Sequence, residues 1–217
     1  MANVTADFTA DYKTFLGKKI VFVPEPVDKG TGPRSFWFSE EGGFVTLKAG
    51  SPPTDGVDKS SMNAYWLSWV SGKIAPLDLG GGADFFFTSQ MTNCTFKVLT
   101  KSRTAPKVAH IAGTMGMSDR VNAEKELLKD TAKTNVSSPV GSVLMAGSPK
   151  HEYTGQSGKD KDGKPDPGSA FVFGIKDSSG DWKFAAQIVK ANMADERTFA
   201  LSLKSGVPRI AELFEFK

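Results

Sequence analysis

A cysteine and a histidine, two residue types that together can perform nucleophilic chemistry, lie sixteen residues apart in this chain. Cys94 is the only cysteine, and His110 is one of two histidines. The sequence around and between them predicts a strand over residues 95–99 and a second strand over 106–111. A polar loop over 100–105, turning at Ser102 and Arg103, would join them. Such a hairpin would place His110 at or near the position opposite Cys94, where Cβ atoms are roughly 4.5–5.5 Å apart. A slip of one residue would turn one of the two side chains to the other face.

A thiol beside an imidazole can form a thiolate, which attacks carbonyl carbon atoms. The pair therefore indicates acyl-transfer chemistry, and a cysteine protease or a transglutaminase-like activity would use the same dyad. A second interpretation stays open, because a free cysteine is commonly buried as a small apolar side chain. A histidine in a strand can likewise only complete a hydrogen bond. His151, between Lys150 and Glu152, has the sequence context of a surface residue.

The composition argues against metal and cofactor chemistry. One cysteine excludes an internal disulfide and a multi-cysteine zinc site. With only His110 and His151 to add, a zinc centre would depend on carboxylates. We therefore expect neither a metal nor a cofactor.

The charge and hydropathy patterns limit the partners. The net charge of +3 is small, and basic residues are scattered among acidic ones rather than gathered on one face, so we expect no nucleic-acid partner. No apolar stretch approaches the roughly 18 residues of a membrane span. The N-terminal residues lack the basic segment and apolar core of a secretory signal. We expect a monomer that is made in the cytoplasm without a signal peptide, and export by a machine that reads another signal stays open.

The hydrophobic pattern predicts many short strands and few helices. Apolar spacing predicts a helix near residues 5–16 and another over 119–133 with Ser118 as its N-cap. Residues 154–169 are rich in Gly, Lys, Asp and Pro and predict a surface loop. Without a regular strand–helix alternation, the pattern favours a single α/β domain over residues 1–217, with a central β-sandwich of mixed, mostly antiparallel strands flanked by helices and long loops. The segments predicted as strands are 19–23, 35–38, 43–47, 64–70, 74–77, 95–99, 106–111, 170–175, 182–189 and 198–203; the tail 210–216 fits either a strand or a helix.

Several motifs in one region resemble a known family of toxins. They are Trp66-Leu67-Ser68-Trp69 with Gly72, then Phe86-Phe87-Thr88, then Cys94 and Phe96, and finally His110-Ile111. In order and spacing they resemble the catalytic region of the Burkholderia lethal factor and cytotoxic necrotizing factor family of glutamine deamidases. The likeness is clear over residues 64–112 and loose over the later strands.

The resemblance implies a role for each matching residue. It implies Cys94 as nucleophile, His110 as general base and Thr88 as a supporting residue of the active site. The family has Leu-Ser-Gly-Cys where this chain has Met91-Thr92-Asn93-Cys94, so Thr92 and Asn93 would form the loop that offers backbone N–H groups to the oxyanion. Among residues other than glycine, asparagine best tolerates a positive φ, and we expect Asn93 to have a positive φ.

The function that follows is a protein glutamine deamidase, acting through a Cys–His thioester mechanism. Its partner would be a protein that presents a reactive glutamine, and its setting would be that of a bacterial toxin or effector. The alternative is a catalytically silent relative that keeps the fold as a protein-binding module. Substrate choice would reside in the loops at residues 24–34, 50–62 and 154–169.

Overall fold

A computed structural model provides the structure of the chain. It describes residues 3–23, 32–41, 44–54, 56, 59–91, 94–98, 102–116, 118–119, 121–123, 125–126, 142–145, 168–190 and 209–214. Within these residues the protein is mostly β with few helices. None of the described helices has the length and apolar character needed to cross a membrane.

Two short helices open the chain, α1 (Val4–Ala10) and α2 (Tyr12–Lys18). The single helix predicted near residues 5–16 is therefore wrong, because the chain breaks at Asp11. The backbone of Asp11 leaves the helical region (φ −154°, ψ 85°), and its side chain accepts the N–H of Thr14, which caps the start of α2. Gln187 fastens the segment after α2 to the sheet, since its buried amide binds backbone groups of Leu16, Lys19 and Val21.

An eight-stranded sheet, curled into a half-barrel, forms the larger part of the protein. Its strands pair antiparallel except for β1 with β3 and β4 with β6, which run parallel. In spatial order the strands are β1 (Val21–Phe22), β3 (Phe44–Ala49), β2 (Gly32–Glu41), β4 (Met62–Leu67), β6 (Phe85–Thr88), β10 (Gly168–Lys176), β11 (Trp182–Lys190) and β12 (Arg209–Phe214).

A second, four-stranded sheet is entirely antiparallel. Its edge strand β9 was not predicted from the sequence. In spatial order the strands are β5 (Ile74–Asp78), β8 (Lys107–Ile111), β7 (Thr95–Val98) and β9 (Ser142–Met145).

The two faces of the larger sheet bury two different apolar clusters. One face packs against the smaller sheet, so that Phe86 and Phe184 lie with rings 5.6 and 5.3 Å from Phe96. The other face packs against the two helices, where Phe8 lies 4.9 Å from Phe38 between ring centres. Strand β6 contributes side chains to both clusters, because successive side chains of a strand point to opposite faces.

Most of the predicted strands are present within a residue or two. The turn predicted between the last long strands is confirmed, because Asp177 and Gly180 close the β10–β11 hairpin. The tail is a strand, β12. The described residues from 118 to 126 are helical, with Ser118 already inside the helix rather than capping it. The remainder of that helix (127–133), the strand at 198–203 and most of the loop 154–169 lie outside the described residues, and β10 already begins at Gly168.

Candidate active site

The β7–β8 hairpin brings Cys94 and His110 to the same end of the smaller sheet, but in a register that differs from the prediction. Phe96, not Cys94, is the direct partner of His110. Cys94 precedes β7, two residues before Phe96, so a continued ladder would place it beside Ala112. The shift is by two residues, which preserves the face but makes Cys94 a diagonal neighbour of His110. Diagonal positions across a ladder are about 7–8 Å apart, against about 5 Å for direct partners.

Contacts of the hairpin loop account for this register. Ala105 N–H donates to the Ser102 hydroxyl at 3.1 Å, and the Arg103 carbonyl accepts the N–H of Trp182 at 3.0 Å. Arg103 also lies 3.7 Å from the Asp181 carboxylate. The β10–β11 hairpin therefore holds the loop, and the turn centres on Arg103.

Both reactive side chains are buried. Cys94 is 6% exposed and belongs to the apolar cluster between the sheets, and His110 is 1% exposed. The prediction that the pair opens onto a surface cleft is therefore wrong for this structure.

Thr88, on the larger sheet, binds the imidazole of His110. Its hydroxyl oxygen lies 2.7 Å from Nδ1 of His110 and 2.7 Å from the carbonyl oxygen of Leu67. The parallel pairing of β4 with β6 puts Leu67 directly beside Thr88. A contact across the two sheets thus joins the residue that the resemblance marked as supporting to the residue that it marked as base.

The hydrogen bonds of Thr88 fix the protonation of His110. A carbonyl oxygen can only accept, so the single hydroxyl proton of Thr88 is directed to Leu67. The hydroxyl oxygen must then accept from Nδ1–H, which leaves the lone pair of a neutral imidazole on Nε2. Nε2 is buried and has no hydrogen-bond partner in the part of the chain that the structure describes. The predicted hydrogen bond between the thiol and the imidazole is therefore not formed, and the basic atom stands unpaired.

Burial lowers the pKa of His110 from its ordinary 6.5 to about 4. Desolvation is the cause, because the positive form loses its hydration in an apolar surrounding. A hydroxyl, unlike the carboxylate of a serine-protease triad, carries no charge that would offset this loss. At neutral pH His110 is thus an uncharged proton acceptor.

Ser89 and the β4–β5 turn lie next to Thr88 and Leu67. The buried Ser89 hydroxyl accepts the backbone N–H of Trp69 at 2.8 Å, and the Ser89 N–H lies 3.3 Å from the carbonyl of Leu67. Neither Ser89 nor the Leu67 carbonyl was predicted as a site group from the sequence. A carbonyl has no residue-type signal, and its role depends on the β4–β6 pairing, which joins strands separated along the chain by β5.

The structure describes three of the five predicted site residues. Thr88, Cys94 and His110 are described, whereas Thr92 and Asn93 lie outside the described residues. Among the described residues, no three His, Cys, Asp or Glu side chains gather where they could hold a metal ion.

The chain matches no protein-family model and no curated protein at a significant level.

Proposed function

We propose that this protein is a cysteine-dependent protein-glutamine deamidase with Cys94 as nucleophile and His110 as base. The observation that carries the proposal is the buried Nε2 of His110, which has no hydrogen-bond partner among the described residues, since buried polar atoms are nearly always hydrogen-bonded. An unpaired basic nitrogen near the only thiol of the chain is suited to accept a proton during a reaction. The two packed sheets are compatible with the β-sandwich that we propose for the catalytic domain.

The chemistry follows from the hydrogen bonds of the imidazole. Nε2 of His110 removes the thiol proton of Cys94 as the sulfur attacks the side-chain carboxamide carbon of a glutamine. The resulting imidazolium returns that proton to the nitrogen of the tetrahedral intermediate, ammonia leaves, and a thioester remains. Nε2 then takes a proton from water, whose oxygen attacks the thioester carbon. The sulfur leaves with that proton, and a glutamate and the free thiol result.

Thr88 has a positioning role in this scheme. Its hydroxyl accepts from Nδ1–H and directs its own proton to Leu67, so the imidazole keeps its basic lone pair on Nε2. We propose that Thr92 and Asn93 precede the nucleophile in a loop whose backbone N–H groups stabilise the oxyanion, an interaction often worth several kcal/mol. The setting would be that of a toxin or effector delivered into host or target cells as a monomer.

Alkylation tests the proposal directly, because Cys94 is the only thiol. Iodoacetamide should react with the folded protein faster than with the His110→Gln variant at neutral pH, by roughly a hundredfold, as is typical of one general base. His151→Gln changes the other histidine in the same way and should keep the fast rate. Equal rates for the native protein and His110→Gln would refute the catalytic dyad.

The substrate class has its own test. Incubation with a cell lysate, followed by mass spectrometry, should find glutamine converted to glutamate at specific protein sites. Cys94→Ser in the same lysate should leave those sites unchanged. Cleaved or cross-linked proteins in place of deamidated ones would instead assign a protease or a transglutaminase-like activity.

A second candidate function has an observation in its favour. Cys94 and His110 are 6% and 1% exposed and make no thiol–imidazole hydrogen bond, which is what a catalytically silent, protein-binding relative would have. The two candidates differ in thiol reactivity. A silent relative would react with iodoacetamide slowly, and His110→Gln would not change the rate.

A further inference from the structure

The β4–β5 turn presents an exposed apolar pair beside the candidate active site. Trp69 and Val70 are 37% and 41% exposed, and Val121 at 48% is the other large apolar side chain that is exposed among the described residues. Scattered single apolar residues at a surface need no explanation, but adjacent ones next to a reactive centre can form part of a binding surface. We call Trp69, Val70 and Lys73 the turn surface.

Both ends of this turn are bound to segments that adjoin the reactive residues. At its start, the N–H of Trp69 donates to Ser89, which follows Thr88. At its end, the Lys73 carbonyl accepts the N–H of Ala112, at 3.1 Å. Ala112 lies two residues after His110 and at the level of Cys94 in the continued β7–β8 ladder. The turn surface is thus attached on both sides to the surroundings of the dyad.

Further hydrogen bonds hold the turn in one conformation. Gly72 adopts a positive φ of 65°, and its N–H donates to the Thr114 hydroxyl at 3.0 Å. The N–H of Lys73 donates to the Val70 carbonyl at 3.2 Å. Trp69 and Val70 are therefore presented by a fixed backbone, which lowers the entropy lost when a partner binds.

Lys73 supplies the charge of the turn surface. Across residues 68–73 and 112–116, Lys73 is the only residue with a charged side chain, and it is exposed. Lys73 forms no ion pair with any described residue. An apolar pair next to a single cation complements a peptide that carries an apolar side chain close to a carboxylate.

We propose that the turn surface is the subsite that selects the sequence around the target glutamine. The occupant is a substrate segment with an apolar side chain and an acidic residue flanking that glutamine: the apolar side chain packs on Trp69 and Val70, and the carboxylate pairs with Lys73. This inference rests on the proposed function for the position of the glutamine, and it names the substrate class that the site takes.

Protection of Cys94 from iodoacetamide by synthetic peptides tests the subsite without requiring turnover. The probes are three short peptides with one central glutamine, flanked by leucine and glutamate, by serine and glutamate, or by leucine and lysine. The leucine–glutamate peptide should protect at a roughly tenfold lower concentration than either of the others, the effect expected from burying one apolar side chain or forming one charge pair.

Variants of the turn surface show which of its residues select the leucine and the glutamate of the peptide. Trp69→Ala and Val70→Ser should each remove the advantage of leucine over serine, and Lys73→Glu should reverse the preference between glutamate and lysine. Val121→Ser makes the same change at a similarly exposed valine outside the turn and should keep both preferences.

The outcomes separate this inference from the proposed function. Equal protection by all three peptides, protection by none at the highest soluble concentration, or an equal effect of Val121→Ser and Val70→Ser would overturn the subsite. None of these results changes the alkylation rate without peptide. The ratio between the native protein and His110→Gln in that experiment tests the dyad alone.

Discussion

The hydroxyl of Thr88, on a strand of the larger sheet, lies 2.7 Å from Nδ1 of His110, on a strand of the smaller sheet. The same hydroxyl donates to the carbonyl of Leu67, so it must accept from the imidazole. This one contact fixes the tautomer, leaves Nε2 basic and links the two sheets at the candidate active site.

Removing the Thr88 hydroxyl should release the imidazole. Thr88→Val keeps the shape of the side chain but leaves Nδ1–H without an acceptor, at a cost of about 1–3 kcal/mol in the free energy of unfolding. The rate of Cys94 alkylation should fall as well, and nitrogen NMR should show Nδ1–H no longer as the single tautomer. Thr88→Ser retains the hydroxyl and should keep the tautomer and most of the rate. If Thr88→Val alters stability alone, Thr88 has only a packing role.

The buried histidine should make the protein less stable in mild acid. In the unfolded chain His110 takes up a proton at its ordinary pKa of 6.5, whereas in the folded protein its pKa is about 4. The unfolded state therefore binds more protons between these values, and the free energy of unfolding falls by about 3 kcal/mol as the pH drops from 6.5 to 4.

Urea unfolding at a series of pH values would measure this loss. His110→Gln should lack it, because glutamine does not titrate, while His151→Gln should retain it. An equally steep loss in His110→Gln would assign the pH dependence to the carboxylates.

The same pKa determines the pH profile of alkylation. Because Nε2 is unprotonated above a pKa of about 4, the His110-dependent part of the rate should be nearly constant from about pH 5.5 to 7. It should disappear as the pH falls through 4. The difference in rate between the native protein and His110→Gln measures that part. An inflection near 6.5 would mean that the imidazole is hydrated in solution and not buried.

Close packing between the sheets should make Gly174 intolerant of a side chain. A Cβ placed there would lie 2.9 Å from ring atoms of Phe184 and 3.3 Å from Cβ of Phe86. Gly174→Ala should therefore lower the free energy of unfolding by about 1–3 kcal/mol, the usual effect of overpacking. Gly17→Ala is the matched control, since nothing lies within 4 Å of the added atom. Gly17 is exposed in α2, and alanine should stabilise it by about 0.5–1 kcal/mol. Denaturant unfolding that shows the same sign for both changes would contradict this account.

The loop before the nucleophile should tolerate glycine but not a β-branched residue at position 93. If Asn93 has a positive φ, Asn93→Gly removes strain on the order of 1 kcal/mol and should preserve or raise the alkylation rate of Cys94. Asn93→Val cannot adopt that backbone conformation easily and should reduce both the rate and the stability. Alkylation rates for the two variants check this, and a normal rate in Asn93→Val would place position 93 in ordinary β geometry.

The sequence determined the local elements and the residue types of the site. Alternating apolar residues marked most strands, and the polar turn at 177–181 marked the β10–β11 hairpin, because these features depend on neighbours along the chain. The pairing of β7 with β8 also followed from their closeness in sequence. The prediction of a single helix near residues 5–16 was wrong because it followed the apolar spacing alone. Asp11 prefers a capping position, and the helix ends there.

Only the tertiary structure decided the register, the burial and the hydrogen bonds of the site. The hairpin turn centres on Arg103, which contacts Trp182 and Asp181, and Phe96 rather than Cys94 is the partner of His110. Thr88 meets His110 because two sheets pack face to face. Such contacts join residues from distant parts of the chain, and their energy comes from apolar burial that has no direction of its own. The pattern of the sequence therefore indicates which residues are buried, but only the packed sheets show which of them touch.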